Sequence, residues 1–296
     1  MTDECKPLVS LIFPAKNEGG NVRSTLESAL QAKTDYPFEM IIVDDGSTDG
    51  CCDVVASYSH ANMGRIRSLR TEGIGLAQAK NLGARHSKGE YLIFCDAHLF
   101  FEDLWIDGLL EPIRTGLGDG TTPGIAPTNS PDIVGYGQTL DNNLGIQWNG
   151  WQANPFPSAV MPGGCFAVSR HVFFDIGGFD HGFRLWGYED VEISLKMWLF
   201  GYKCYVQPNV KILHLFRETH PYTVTYDHIN YNLMRMAYSH FNVARILQCK
   251  ELIKYSDPDH IESTVLESNI LRQRQAYFAR RKYDDNWYMH NFGIPF

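Results

Sequence analysis

The chain contains no uninterrupted apolar run approaching the ~20 residues of a membrane-spanning helix, no low-complexity tract and no internal repeat. Those gaps argue against stable membrane insertion, solenoid architecture and wholesale disorder. Positive charge is also short. Lys and Arg number 26 against 34 Asp and Glu, a formal net charge of −8, whereas a nucleic-acid partner wants a basic footprint. An anionic ligand would therefore need a local site. The seven cysteines (Cys5, Cys51, Cys52, Cys95, Cys165, Cys204 and Cys249) are odd in number and lack paired metal spacing. Reduced thiols in a cytosol fit that pattern. The opening MTDECKPLVS is polar and acidic rather than basic and then apolar, so a soluble, cytoplasmic protein is the expectation.

What the sequence does hold is a large apolar and aromatic fraction, 44% and 13% of 296 residues, enough for a substantial core. Over the first hundred residues, short β-rich runs alternate with helical segments. LVSLIF (8–13), EMIIVD (39–44), RIRSLR (65–70) and YLIFCD (91–96) read as strands, and 21–33 and 76–87 as helices. Such alternation predicts parallel βαβ units, whose ligands gather at the carboxyl ends of the strands. Three polar clusters fall there: PAKNEGG, DDGSTDG and DAH. The stretch 112–162, rich in Gly, Pro and Asn, reads as loops with a few short strands. After it come a strand at CFAVSR, a helix over EDVEISLKMWLFG, two short strands (YKCYV and VKILHLF) and a mostly helical remainder from 224.

Asp96 and His98, two apart at a strand end, project to one side and can converge on one ion. A carboxylate oxygen with an imidazole nitrogen suits Mn²⁺ or a neighbouring divalent ion; a turn former beside a surface histidine would give the same pattern. In IIVDDGSTDG, capping accounts for Ser47, Thr48 and Asp49 but not for adjacent carboxylates at Asp44 and Asp45, which can accept from a base N–H or ribose hydroxyls. Glu189 and Asp190 open a predicted helix, where they complement its dipole; paired carboxylates of this kind can also act as a general base. The charged, aromatic segment RQRQAYFARRKYDDNWYMHNF reads as a solvated amphipathic helix or a dimer element, so a homo-oligomer stays open.

Taken together, VSLIFPAKNEGGNVRSTLESAL, IIVDDGSTDG and the Asp96 motif resemble the nucleotide-binding half of family 2 glycosyltransferases with the GT-A fold. The segment from GGCFAVSRHVFFDIGGFD through LWGYEDVEISLKMWLFGYKCYVQPNVKILHLFRETHPYT resembles the catalytic domain of the polypeptide N-acetylgalactosaminyltransferases, also GT-A enzymes. Jointly the resemblance covers residues 8–240, with separate motifs in the right order. It implies an α/β, Rossmann-like GT-A fold with a mixed, mostly parallel sheet. The expected catalytic domain spans 1–222, with a nucleotide-binding half at 1–100 and an acceptor and metal half at 101–222; a helical extension follows at 223–296.

The resemblance implies that Asp96, His98 and His214 hold Mn²⁺, or Mg²⁺ in its place, against the diphosphate of a UDP-sugar. Donor contacts are implied for Pro14, Ala15, Glu18, Asp44, Asp45, Lys80, Asp96, Ala97, Gly163, Gly164, Trp186, Arg217, His220 and Tyr222. The segment holding Arg217, His220 and Tyr222 is the expected lid. Asp190, with Glu189, is the expected catalytic pair. The peptide-modifying relatives retain anomeric configuration and carry Asn at the Asp190 position, whereas inverting family 2 enzymes place a base Asp in a Glu-Asp pair, so inversion is expected here. Those relatives are also Golgi-resident and follow the catalytic domain with a lectin-like trefoil, where this chain has about 70 mostly helical residues. The expected acceptor is a peptide or protein Ser, Thr or Cys. A polysaccharide, lipid-linked oligosaccharide or small glycoside is the alternative, as is retaining GalNAc-transferase-like chemistry. A catalytically dead UDP-binding module is the non-enzyme alternative. A sugar-nucleotide pyrophosphorylase would need a Gly-rich basic loop near residue 14, which is missing.

Overall fold

The computed structural model describes residues 7–61 and 64–296, so Cys5 lies outside the described residues. The first half follows the expected alternation: β1 (Val9–Ala15), α1 (Asn21–Gln31), β2 (Phe38–Asp44), α2 (Val55–Ala61), β3 (Ile66–Arg70), α3 (Leu76–His86) and β4 (Tyr91–Cys95). β1 lies parallel to β2 and β4, and β2 parallel to β3. Helices cover the sheet, so these strands read as continuous apolar runs rather than alternating ones; Leu11, Ile12, Ile41, Ile42 and Ile93 are fully buried.

The second half contributes β5 (Leu99–Phe101), α4 (Trp105–Arg114), β6 (Gly120–Pro127), β7 (Gly135–Tyr136), β8 (Gln138–Leu140), β9 (Ile146–Trp148), β10 (Phe156–Pro157), β11 (Cys165–Ser169), α5 (Arg170–Asp175), α6 (Glu189–Phe200) and β12 (Cys204–His214). The main sheet runs β10-β12-β6-β11-β4-β1-β2-β3, with β5 paired to β12 and β7 to β6, while β8 and β9 form a separate hairpin. β11 is antiparallel to both β4 and β6. The sheet therefore changes direction beside β4, and a ligand crevice opens where the strand order turns.

Three sequence expectations change. Residues 120–127, within the stretch expected to be mainly loop, form a central eight-residue strand whose first seven residues are buried. GTTPGIAP has weak strand propensity, but tertiary context overrides it. Thr121 and Thr122 donate their hydroxyls to the carbonyls of Leu109 and Cys165. A Cβ at Gly124 would meet the Tyr136 ring at 2.7 Å, so close packing there demands glycine. The two short strands expected at 202–216 are one strand, β12, whose register against β6 shifts between Gln207 and Lys211; Pro208, which lacks an N–H, marks the interruption. Finally, residues 96–98 link β4 to β5 rather than extending a strand, so Asp96 and His98 converge through a turn.

Five helices complete the chain: α7 (Tyr226–His240), α8 (Val243–Glu251), α9 (Pro258–Leu266), α10 (Ile270–Arg280) and α11 (Asp285–Phe292). They share an apolar core with the sheet, since Phe94, Phe166 and Phe179 belong to the same buried cluster as Leu233, Met234 and Tyr288. The Tyr288 hydroxyl donates to the Ala159 carbonyl at 2.9 Å. Thus 222/223 is a boundary in sequence, while the packing is continuous across it. No helix among the described residues is long and apolar enough to cross a membrane.

Candidate functional site

Asp96, His98 and His214 come together at the carboxyl ends of β4 and β12, each offering one ligand atom within 4.8 Å of the others. Backbone pairing fixes this approach: His214 pairs with Leu99 of β5, the Leu215 N–H donates to the His98 carbonyl at 3.1 Å, and the Asp96 N–H donates to the Gly164 carbonyl at 2.9 Å. His214 Nε2 lies 3.1 Å from Asp96 Oδ2, and His98 Nε2 lies 3.7 Å from the same oxygen. Two imidazole nitrogens thus face one carboxylate oxygen. The oxygen–nitrogen donor set suits a small divalent cation such as Mn²⁺. Burial pushes the Asp96 carboxyl up, but the His214 hydrogen bond and the nearby charges of His98, His214 and Lys80 outweigh it and hold the group well below the usual carboxylate range. A Cβ at Gly164 would sit 3.2 Å from the His214 ring and 3.6 Å from Asp96 Oδ2. The bare backbone leaves the cluster its space.

Behind His98, its Nδ1 lies 3.1 Å from Glu18 Oε2. Nδ1 also lies 2.8 Å from Arg217 Nη2, which can only donate; with Nδ1–H donating to the carboxylate instead, the Nε2 lone pair is free for a metal. Arg217 donates to Glu18 Oε1 at 2.7 Å. Burial raises the Glu18 pKa, and its bonds to His98 and Arg217 more than offset that, so it is lowered overall. Glu18 therefore touches both the Asp96–His98–His214 cluster and the segment that follows β12.

A cavity of about 220 Å³ opens on one side of the cluster. Its wall includes the expected Pro14, Ala15, Glu18, Asp45, Asp96, Ala97, Trp186, Arg217, His220 and Tyr222. Segment 215–222 is folded down over it: Asn17 donates to the Pro221 carbonyl at 3.4 Å, and the Trp186 and His220 rings stand 4.5 Å apart, edge to face. Asp45 is held by the N–H groups of Ile74 and Gly75 and by the Thr71 hydroxyl. Asp44 and Lys80, expected at the donor, lie outside this wall. Asp44 is buried, accepting from Arg70 at 2.5 Å and from the Ser47 N–H, so it braces the turn. Lys80, also fully buried, donates to the Gly163 carbonyl and to Glu189 Oε1 at 3.3 and 3.4 Å. Lys16 lines the cavity although the sequence expectation omitted it. A cation at a strand end on an otherwise acidic rim was the available signal.

A second cavity, of about 430 Å³, shares Asp96, His214, Trp186 and Phe216 with the first and is walled by Gly163, Gly164, Glu189, Asp190, Ile146 and Trp148 among others. The two glycines thus face this cavity rather than the first. Asp190 Oδ2 accepts from the Gly163 N–H at 3.0 Å, and Oδ1 accepts from the Val191 N–H at 2.8 Å. Crowding by protein raises the Asp190 carboxyl, opposed first by Lys80. Glu189 is raised too, by burial, with Lys80 opposing and Asp190 adding to it. The wall from the β8–β9 hairpin had no signal in the sequence, because Ile146 and Trp148 reach the site only through tertiary packing.

A family model described as "Glycosyl transferase family 2" matches residues 10–177, and one described as "N-terminal domain of galactosyltransferase" matches 152–224. The chain belongs to glycosyl transferase family 2. It is similar to "Polypeptide N-acetylgalactosaminyltransferase 8" of Drosophila melanogaster, 32% identical over 229 residues, 72% of this chain and 38% of the relative. It is also similar to "Polypeptide N-acetylgalactosaminyltransferase 5" of Rattus norvegicus, 28% identical over 277 residues, 86% of this chain and 29% of the relative. The chain thus spans well under half the length of these curated relatives. A crystal structure of GalNAc-T7 with UDP, GalNAc and Mn²⁺ superposes with a TM-score of 0.75 at 22% identity, covering 98% of this chain and 57% of that one. The mannosyltransferase PcManGT of Pyrobaculum calidifontis, in complex with GDP-Man and Mn²⁺, gives 0.58 at 19%, over 93% and 75%. These likenesses establish the GT-A glycosyltransferase fold.

Proposed function

We propose that the protein is a metal-dependent glycosyltransferase that moves a sugar from a UDP-sugar to an acceptor with inversion, the acceptor being a Ser, Thr or Cys side chain of a peptide or protein. One observation carries this reading. The Asp96–His98–His214 cluster stands where the two cavities meet, and the second cavity holds the Glu189–Asp190 carboxylates. The fold neighbour whose structure contains UDP, GalNAc and Mn²⁺ supports a UDP-sugar and Mn²⁺; the polypeptide-modifying relatives support a peptide acceptor.

Asp96, His98 and His214 would hold the ion, which when bound supplies a positive charge against the leaving diphosphate. Glu18 orients His98, and Arg217 and Lys16 bring further positive charge to the first cavity. On the acceptor side, Asp190 takes the proton from the attacking hydroxyl or thiol. The new bond forms at the anomeric carbon, and the electron pair of the broken bond leaves with UDP. Two backbone N–H groups aim the Asp190 carboxylate and Lys80 steadies Glu189, so the base is positioned before substrate arrives.

The test is incubation with Mn²⁺, a panel of UDP-sugars and a peptide library, read by mass spectrometry, with glycans as the parallel acceptor set. Transfer to peptide is expected. Transfer to glycans alone would replace the acceptor assignment, and UDP-sugar binding with neither transfer nor hydrolysis would leave a binding module.

A further inference from the structure

The loop that delivers Trp186, Glu189 and Asp190 is held in an unfavourable backbone conformation. Leu185 has φ 23°, Gly187 φ 104° and Tyr188 φ 64°, three positive values within four residues, of which only one is glycine. Non-glycine residues stay in that region only where the surroundings over-determine it. Part of the restraint is nearby, because the Leu76 N–H donates to the Leu185 carbonyl at 2.8 Å.

The rest comes from far along the chain. Asn232, on α7 and 1% exposed, accepts from the Arg184 N–H at 2.7 Å through Oδ1. Its Nδ2 donates to the carbonyls of Arg184, Trp186 and Gly187 at 2.7, 3.2 and 3.0 Å. One amide thus meets four backbone groups of the strained loop. Only an amide combines an acceptor and two N–H donors in so small a volume, and the network also fixes which way it points.

We infer that Asn232 is a positioning residue: it clamps loop 184–187 in the conformation that sets Trp186 between the two cavities and starts α6 at Glu189 and Asp190. The C-terminal helices are therefore part of the transfer apparatus. The catalytic side of this inference rests on the function proposed above; the conformational side does not.

The test uses the full chain, with Asn232→Asp, which keeps the shape and one acceptor but loses the donors, and Asn232→Ala. Tyr238→Phe, which removes a bond from the same helix to Glu262, is the control. In both Asn232 variants, amide exchange across 184–190 should quicken on the order of 10-fold while β1 and β4 remain protected. Turnover should fall on the order of 100-fold, with Mn²⁺ affinity, measured without nucleotide, within about twofold, because the Asp96–His98–His214 cluster stands on backbone that Asn232 does not touch. The control should match wild type in both. Unchanged exchange at 184–190 in either variant overturns the clamp, as does faster exchange with wild-type turnover. Should both variants aggregate, the wild-type protein still decides, since an Arg184 amide without protection would refute the clamp and a protected one would support it. If the wild-type protein transfers from no UDP-sugar, the function fails while the exchange measurements still judge the clamp.

Discussion

At the scale of single residues, the inversion proposed above rests on Asp190 as the base. Replacing a positioned base typically costs ~10²- to 10⁴-fold in rate while leaving donor binding intact. Asp190→Asn should therefore keep UDP affinity and lose turnover, and the wild-type product from an α-linked donor should be β. The anomeric proton signal reads the stereochemistry; an α product, or an Asp190→Asn enzyme as fast as wild type, would refute inversion. Both Glu189 and Asp190 are raised from the ordinary carboxylate value, chiefly because the surrounding protein strips water from them, with Lys80 opposing. Falling pH therefore protonates the pair earlier than a free carboxylate, and the acid limb of the rate profile should lie above the usual ~4 of an unperturbed side chain. In the metal cluster, His214→Ala should weaken Mn²⁺ binding, measured by titration without turnover, and EDTA should abolish transfer until Mn²⁺ is restored. Wild-type metal affinity in that variant would dismantle the triad.

At the scale of elements, the 215–222 segment and the glycine turn before β11 carry the argument. Residues 216–220 are exposed, and beyond the Leu215 N–H bond to His98 the segment is held by side chains: Arg217 on Glu18 and His98, Asn17 on Pro221, Lys16 over Tyr222 and the Trp186–His220 contact. An exposed segment held mainly by side-chain contacts opens locally at low cost. UDP with Mn²⁺ should slow its amide exchange, because diphosphate oxygens give Arg217 and Lys16 new partners. Equal exchange with and without the nucleotide would make it a static turn. At the glycine turn, Gly164→Ala places a methyl 3.2 Å from the His214 ring, while φ at this residue is not among the positive values. Lower Mn²⁺ affinity with a nearly unchanged melting temperature is the expected outcome, and a large loss of stability would show that the crowding is absorbed by the fold instead.

At the scale of the whole molecule, the five C-terminal helices and the sheet bury one another. Ending the chain after residue 224 would uncover the cluster containing Phe94, Phe166 and Phe179 and remove Tyr288 from the Ala159 carbonyl. Loss of a shared core on that scale exceeds the marginal stability of a domain. The shortened chain should form aggregates with no cooperative melting transition; a soluble, cooperatively melting 1–224 fragment would contradict the shared core. The sequence alone determined the parallel βαβ half, the order of its strands along the chain and the rim on which Glu18, Asp45, Asp96 and His98 stand, because local apolar runs and turn residues dictate those features. It also determined which residue types could hold a metal. Only the tertiary structure decided that GTTPGIAP is a central strand, that Lys80 and Asp44 serve as buried braces, that the β8–β9 hairpin walls the second cavity, and that Asn232 reaches the Trp186 loop. Each of these depends on partners far apart in the chain. A buried environment can override weak local propensity, and the partner a charge or amide finds is set by packing that no local pattern records.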